Sequence, residues 1–235
     1  MNNLLITICA RGGSKGVKGK NIRNLNGFPL IYYTIKQAKD WAKAKHIIVS
    51  TDSQDIAKIA KQYGAEVPFI RPVELATDTA GKVAAIRHAL LSSDKFFAEK
   101  YDAVMDLDVT SPVRTHQDLE DSYNLFLQKK PKTLFSVVIA HRNPYFNMVE
   151  ETHGGKVILS KKGDFVRRQD APKVYDMNAS IYIYNREYLL DEANVSPISD
   201  NSIIYLMNDL AKTDIDSELD FKFIEFLVKE NIISL

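Results

Sequence analysis

Cys9 is the only cysteine in the 235 residues. One thiol cannot form an intrachain disulfide or a cysteine-rich zinc site. Its place inside a short apolar run points to a buried structural thiol. No stretch approaches the ~20 consecutive apolar residues needed to span a bilayer. The opening MNNLLITICARGG has no basic segment before its apolar run, so no secretory leader is expected, and a cytoplasmic location is. Charge of one sign is lacking too. With 31 cations against 30 acids, nothing general favours nucleic acid or a membrane surface as partner. The five histidines are scattered without HExxH spacing, and Ser111 lies in TSP rather than GxSxG; zincin and serine hydrolase chemistry lose their motifs.

What the chain does have is concentrated. Residues 10–21 read ARGGSKGVKGKN, with four glycines, four cations and no acid. Two familiar patterns fail there. If Gly19-Lys20 were the end of a Walker loop, Ser14 and Asn21 would stand where glycine and Ser/Thr are required, and no glycine pair has GxGxxG spacing. The physics of phosphate binding survives. Glycines let backbone N–H groups approach anionic oxygens, and Arg11, Lys15, Lys18 and Lys20 can neutralise a triphosphate.

Position strengthens that reading. Leu4–Ala10 is a continuous apolar run, as in a strand buried on both faces. Further strands are expected at HIIVSTD, AEVPFI, YDAVMDLD, TLFSVVIA and ASIYIY, with a short one following KTDID. Helices are expected from Pro29, between Ser53 and Gly64, over AGKVAAIRHALLSS, after Thr115 and over SELDFKFIEFLVKE. Alternating strands and helices imply an α/β fold with a mainly parallel sheet covered on both faces. Ligands of such sheets bind outside the carboxyl ends of the strands. The glycine loop, STDS and DVTSPVR then share one rim. From His141 to Met177 the pattern breaks into prolines, an HGG turn and the basic SKKGDFVRR. One domain, 1–235, with an insert at 141–177 is expected.

The glycine loop resembles the signature loop of the acylneuraminate cytidylyltransferases, the CMP-sialic acid synthetase family. STDSQDIA, RPVELATDTAGK, DVTSPVR, RRQDAP, MNASIYIY and DIDSELDF follow in that family's order along nearly the whole chain. The resemblance implies a Rossmann-like nucleotidyltransferase fold. It also implies transfer of CMP from CTP to the anomeric hydroxyl of a nine-carbon keto sugar acid, with Mg²⁺ and release of pyrophosphate. Arg11, Ser14, Lys15, Lys20, Asn21 and Arg71 are then expected at the nucleotide. Lys20, Arg11 and Asp216 are the catalytic candidates, and Asp214 with Asp216 the metal pair. Carboxylates two apart on a strand face one side, and hard oxygens suit Mg²⁺. A homodimer formed through the insert is implied as well.

Asp108 departs from the sialic acid pattern, where glutamine is common. An ionised carboxylate accepts hydrogen bonds only, so Asp108 is expected to read N–H or O–H groups of the sugar, with Arg168 and Gln169 beside it. The departure resembles the branch that activates legionaminic acid for surface or flagellar glycans. Neuraminate and pseudaminate remain alternatives. A non-catalytic nucleotide-binding regulator would not need the D-x-D pair. A metal-dependent glycosyltransferase would lack the triphosphate loop.

Overall fold

The computed structural model describes residues 3–14 and 16–235. Its strands and helices are β1 (Leu4–Cys9), β2 (Asn24–Leu25), β3 (Phe28–Pro29), α1 (Leu30–Trp41), β4 (His46–Ser50), α2 (Gln54–Gln62), α3 (Lys82–Phe97), β5 (Ala103–Leu107) and α4 (His116–Lys129). They continue with β6 (Thr133–Ile139), β7 (Val149–Glu151), β8 (Val157–Leu159), β9 (Tyr175–Asn185), α5 (Arg186–Leu190), β10 (Ser202–Leu206) and α6 (Glu218–Lys229). Six strands make the main sheet, in the order β10-β6-β9-β5-β1-β4. Neighbours are parallel except around β9, which runs antiparallel to both β5 and β6.

Alternation along each strand splits the core into two layers. Leu4, Ile6 and Ile8 face α1, α4 and α6, whereas Leu5 and Ile48 face the α3 side. Each fully buried aliphatic side chain contributes about 1.5–3 kcal/mol. Strong caps fix where helices begin. Ser53 accepts from the Ile56 N–H, and Thr115 and Ser217 form reciprocal capping boxes with Asp118 and Asp220. Trp41 is buried and donates to Glu120. No helix among the described residues is long and apolar enough to cross a membrane.

Three expectations change. AEVPFI adds only one ladder rung, Ile48 to Glu66, because Pro68 has no N–H to extend the pairing. The short strand of the C-terminal region is β10, ahead of KTDID; Asp214 and Asp216 lie in extended coil. The chain rejoins the sheet at Tyr175, where Tyr175, Asp176 and Met177 pair with Ile139, Val138 and Val137. Residues 141–174 therefore form the projection, built around the β7–β8 hairpin.

Candidate active site

At the end of β1 the chain enters the glycine loop, where neighbouring segments crowd Gly12 and Gly16. The Gly12 N–H donates to Asp52 Oδ1 at 2.8 Å, and a Cβ on Gly12 would approach Ser53 Cβ to 3.0 Å. A Cβ on Gly16 would lie 1.8 Å from the Asp216 carbonyl oxygen. Gly19, at φ 63°, starts the 3-10 turn that carries Lys20 and Asn21. Glycine alone takes that conformation without strain.

Lys20 Nζ donates to the Ile215 carbonyl at 2.7 Å and lies 3.2 Å from Asp216 Oδ1. The Lys20 side chain is 18% exposed and that of Asp216 77%, so the cation is held in place and the carboxylate is open. Arg11 donates to the Thr77 carbonyl and pairs with Asp78, both at 2.8 Å. Asn21 is buried and donates to the Arg11 carbonyl at 2.9 Å, which fixes the loop's shape. Arg71 is also buried, held by the side chain and carbonyl of Ser50 at the end of β4.

These residues line one cleft of about 400 Å³ at the carboxyl ends of β1, β4 and β5. Arg11, Ser14, Lys20, Asn21 and Arg71 share its wall with Asp108 and Asp216. Lys15 lies outside the described residues.

The floor is a charged network. Lys82, the first residue of α3, reaches Asp108 Oδ2 at 2.7 Å and Asp106 Oδ2 at 3.2 Å, and its Nζ sits 4.4 Å above the Tyr182 ring. Asp106 is fully buried and accepts from Thr7 Oγ1. Asp108 Oδ1 accepts from both the N–H and Oγ1 of Thr110, each at 3.1 Å. Burial disfavours charge on both partners, yet the carboxylates hold Lys82 well above its ordinary range. Lys82 and Thr110 likewise overcome burial at Asp108 and hold it at about 2. Arg114 underlies the loop, donating to the carbonyls of Asp108, Ser111 and Ser180; burial draws it down to about 10.

Asp214 approaches the same floor. Ile215 is buried and its N–H bonds to the Thr110 carbonyl at 2.9 Å, tying this coil to the loop after β5. Burial raises the Asp214 pKa, and the negative charges of Asp108 and Asp216 add to the rise. Asp214 Oδ1 is buried without a hydrogen-bond partner. Among the described residues no group of three metal-ligating side chains converges. Mg²⁺ needs only one or two carboxylates when substrate phosphates and water complete its shell. An orphaned buried oxygen beside an open carboxylate fits that donor set.

The expected sugar residues separate. Arg168 and Gln169 line a second cavity of about 360 Å³ with Ile139, Asn143 and Tyr175, whereas Asp108 faces the first. Arg168 donates to the Ala140 carbonyl at 3.0 Å. Lys82, Asp106 and Arg114 were not singled out from the sequence. A signal existed for Lys82: a cation in the first turn opposes the helix dipole, so its side chain had to find compensation elsewhere.

A family model described as cytidylyltransferase matches residues 5–233. Post-translational flagellin modification protein B of Campylobacter coli is 50% identical over 230 residues, covering 98% of this chain and 97% of that protein. CMP-N,N'-diacetyllegionaminic acid synthase of Campylobacter jejuni is 48% identical over 228 residues, covering 97% and 96%. Among solved structures, CMP:2-keto-3-deoxy-manno-octonic acid synthetase complexed with CTP superposes with a TM-score of 0.71 over 97% of this chain and 99% of that one. At 14% identity this last likeness shows the fold alone.

Proposed function

The chain belongs to the cytidylyltransferase family, and on that premise we propose that it transfers CMP from CTP to the anomeric hydroxyl of a nonulosonic acid, legionaminic acid being favoured. The observation that carries this reading is the meeting of Arg11, Lys20 and Asp216 in one cleft, with Asp214 close enough to interact with Asp108, Asp216 and Lys20. A triphosphate needs Arg11 and Lys20, and a divalent cation Asp214 and Asp216. A regulator that only bound a nucleotide would have no use for both.

The reaction forms a bond from the sugar oxygen to the α-phosphorus and breaks the α–β anhydride, so pyrophosphate leaves. The hydroxyl is a weak nucleophile and the phosphorus is shielded by negative charge. Positioning and charge compensation therefore dominate. Arg11 and Ser14, with Lys15, receive the phosphates. Lys20 gives up Asp216 as partner and follows the developing charge on the transferring group. Asp216 accepts the hydroxyl proton. Asp214 and Asp216 would hold Mg²⁺, which when bound neutralises phosphate charge as a Lewis acid.

The legionaminate preference rests on the 48% identity with the Campylobacter jejuni synthase. The flagellin relative supports a product destined for surface or flagellin glycans. Arg168 and Gln169 line a cavity separate from the cleft of Asp108. A second copy, docked on the exposed apolar side chains of Val149, Val157 and Ile158, would bring an insert to its neighbour's cleft. The cytoplasm, where CTP is made, is the expected compartment.

The test is pyrophosphate release from CTP with legionaminic, pseudaminic and neuraminic acids, with and without Mg²⁺. Release that is fastest with legionaminic acid and absent without the metal is expected. Release without any keto sugar acid would overturn the reading.

A further inference from the structure

We propose that Lys82 is a positioning residue for the acceptor sugar: it fixes Asp108 as a charge-compensated carboxylate with one acceptor site turned into the cleft. The inference rests on the reading that the second substrate is a nonulosonic acid.

Hydrogen-bond arithmetic at Asp108 leads there. An ionised carboxylate offers about four acceptor sites. Thr110 fills two on Oδ1 through its N–H and hydroxyl. Lys82 fills one on Oδ2 at 2.7 Å. One site on Oδ2 is left, on a side chain 22% exposed that lines the cleft. A single remaining acceptor in a fixed carboxylate selects a ligand N–H or O–H and offers nothing to a group that only accepts.

Arg11 and Lys20, which line the same cleft, already suit the triphosphate. Phosphate oxygens carry no proton to give Asp108, whereas the sugar acid presents several O–H and N–H groups. The free site is therefore assigned to that substrate, and the amino and ribose hydroxyl donors of CTP are the competitors that the KM for CTP reads. The sugar acid is itself an anion, and an uncompensated carboxylate would repel it. Lys82 lessens the conflict with a positive charge that Asp108 shares with Asp106, and the buried Arg114 guanidinium, which interacts with the same two carboxylates, adds a second cation.

Lys82 lines the cleft with 31% of its side chain exposed, and its ammonium is turned onto the acidic floor. Asp108, Asp106 and the Tyr182 ring come from two strands and a loop and surround its ammonium. Asp108 takes one of its N–H groups as a hydrogen bond, and Asp106 and the Tyr182 ring stand close enough to hold the charge. Its effect on turnover therefore passes through Asp108.

The experiment measures steady-state pyrophosphate release for wild type, Lys82→Met, Lys82→Arg, Asp108→Asn and the double variant Lys82→Met/Asp108→Asn. CTP and legionaminic acid are varied separately. Lys82→Met is expected to lower kcat/KM for the sugar acid about tenfold or more while the KM for CTP stays within about threefold. Lys82→Arg should keep at least about a third of the wild-type value. In the Asp108→Asn background, Lys82→Met should cost less than about threefold, since the two act as a unit. A loss read in the KM for CTP would overturn the inference by putting Lys82 on the nucleotide. So would an undiminished loss in the Asp108→Asn background. If Lys82→Met does not fold, the double variant against Asp108→Asn alone decides, because it removes both charges together. Wild type that turns over no nonulosonic acid would overturn the assigned reaction. Wild type that is active, with Lys82→Met unchanged, would overturn this inference alone.

Discussion

Gly16 lies against the backbone of Asp216: a Cβ added to the glycine would come within 1.8 Å of the Asp216 carbonyl oxygen. The phosphate-type loop and the acidic pair, 200 residues apart, are thus one packed unit. Gly16→Ala must push them apart, at a cost of about 1–3 kcal/mol as for other overpacked sites. Pyrophosphate release should fall at least about tenfold, and thermal unfolding should shift down modestly. Wild-type activity in Gly16→Ala would mean the contact has no role in assembling the cleft.

Lys20 and Arg11 should separate kinetically. Lys20 bonds to the Ile215 carbonyl and pairs with Asp216, where it can follow charge as it develops. Lys20→Ala should lower kcat by about 10²-fold or more, the scale of a lost transition-state donor. Arg11 stands at the rim with Thr77 and Asp78, and Arg11→Ala should act mainly by raising the KM for CTP. Initial-rate measurements over a CTP series distinguish the two; identical effects would remove the division of labour.

Asp108 predicts a signature in acid stability. Its carboxyl is held at about 2, against an ordinary 3.8. A depressed value means stability that is present above 3.8 and lost as pH falls towards 2. The size is about 2 kcal/mol. Asp108→Asn should therefore be less stable than wild type near neutrality, with the gap closing between pH 4 and pH 2. Denaturant unfolding at a series of pH values measures it, and a constant gap would contradict the assignment.

Asp214 behaves in the opposite sense. Burial raises its pKa, so its contribution to stability falls as pH rises from 3.8 through the raised value. At pH 7 without metal, Asp214→Asn should unfold at a temperature no lower than wild type. Mg²⁺ added in the presence of CTP should raise the wild-type midpoint further but leave that of the variant where CTP alone puts it, and the variant should release no pyrophosphate. A midpoint that still responds to Mg²⁺ would take Asp214 out of the metal site.

The β7–β8 hairpin offers a clean test of assembly. The Ser160 N–H bonds to the Met148 carbonyl at 3.0 Å, so residues 149–159 can be replaced by an Asn-Gly turn without opening the structure. Sedimentation should then change from dimer to monomer, and sugar use should fall while CTP binding persists. A dimer that survives would put the subunit contact elsewhere.

Much of this protein was legible in the order of its residues. Apolar runs, capping residues and turn glycines act within a few positions of each other, and they determine β1, α2 and α4 with little help. The α/β class and the shared rim follow, and the glycine loop has the composition and position of a backbone able to take an anion. Other features depend on partners far along the chain. Whether β9 pairs parallel or antiparallel is not a local property, nor is the point where the insert ends at Tyr175. Pro68 made AEVPFI a poor ladder member, a signal that was present but outweighed by its apolar pattern. Lys82 shows the limit most clearly. Its ammonium is held by Asp106, Asp108 and Tyr182, 24 to 100 positions away in the sequence. Asp108 could be named as a carboxylate from the sequence; how many of its acceptor sites remain open was decided only when the fold brought Lys82 and Thr110 to it. Charge and periodicity are written residue by residue, whereas compensation of a buried charge exists only between residues that the tertiary structure has already brought together.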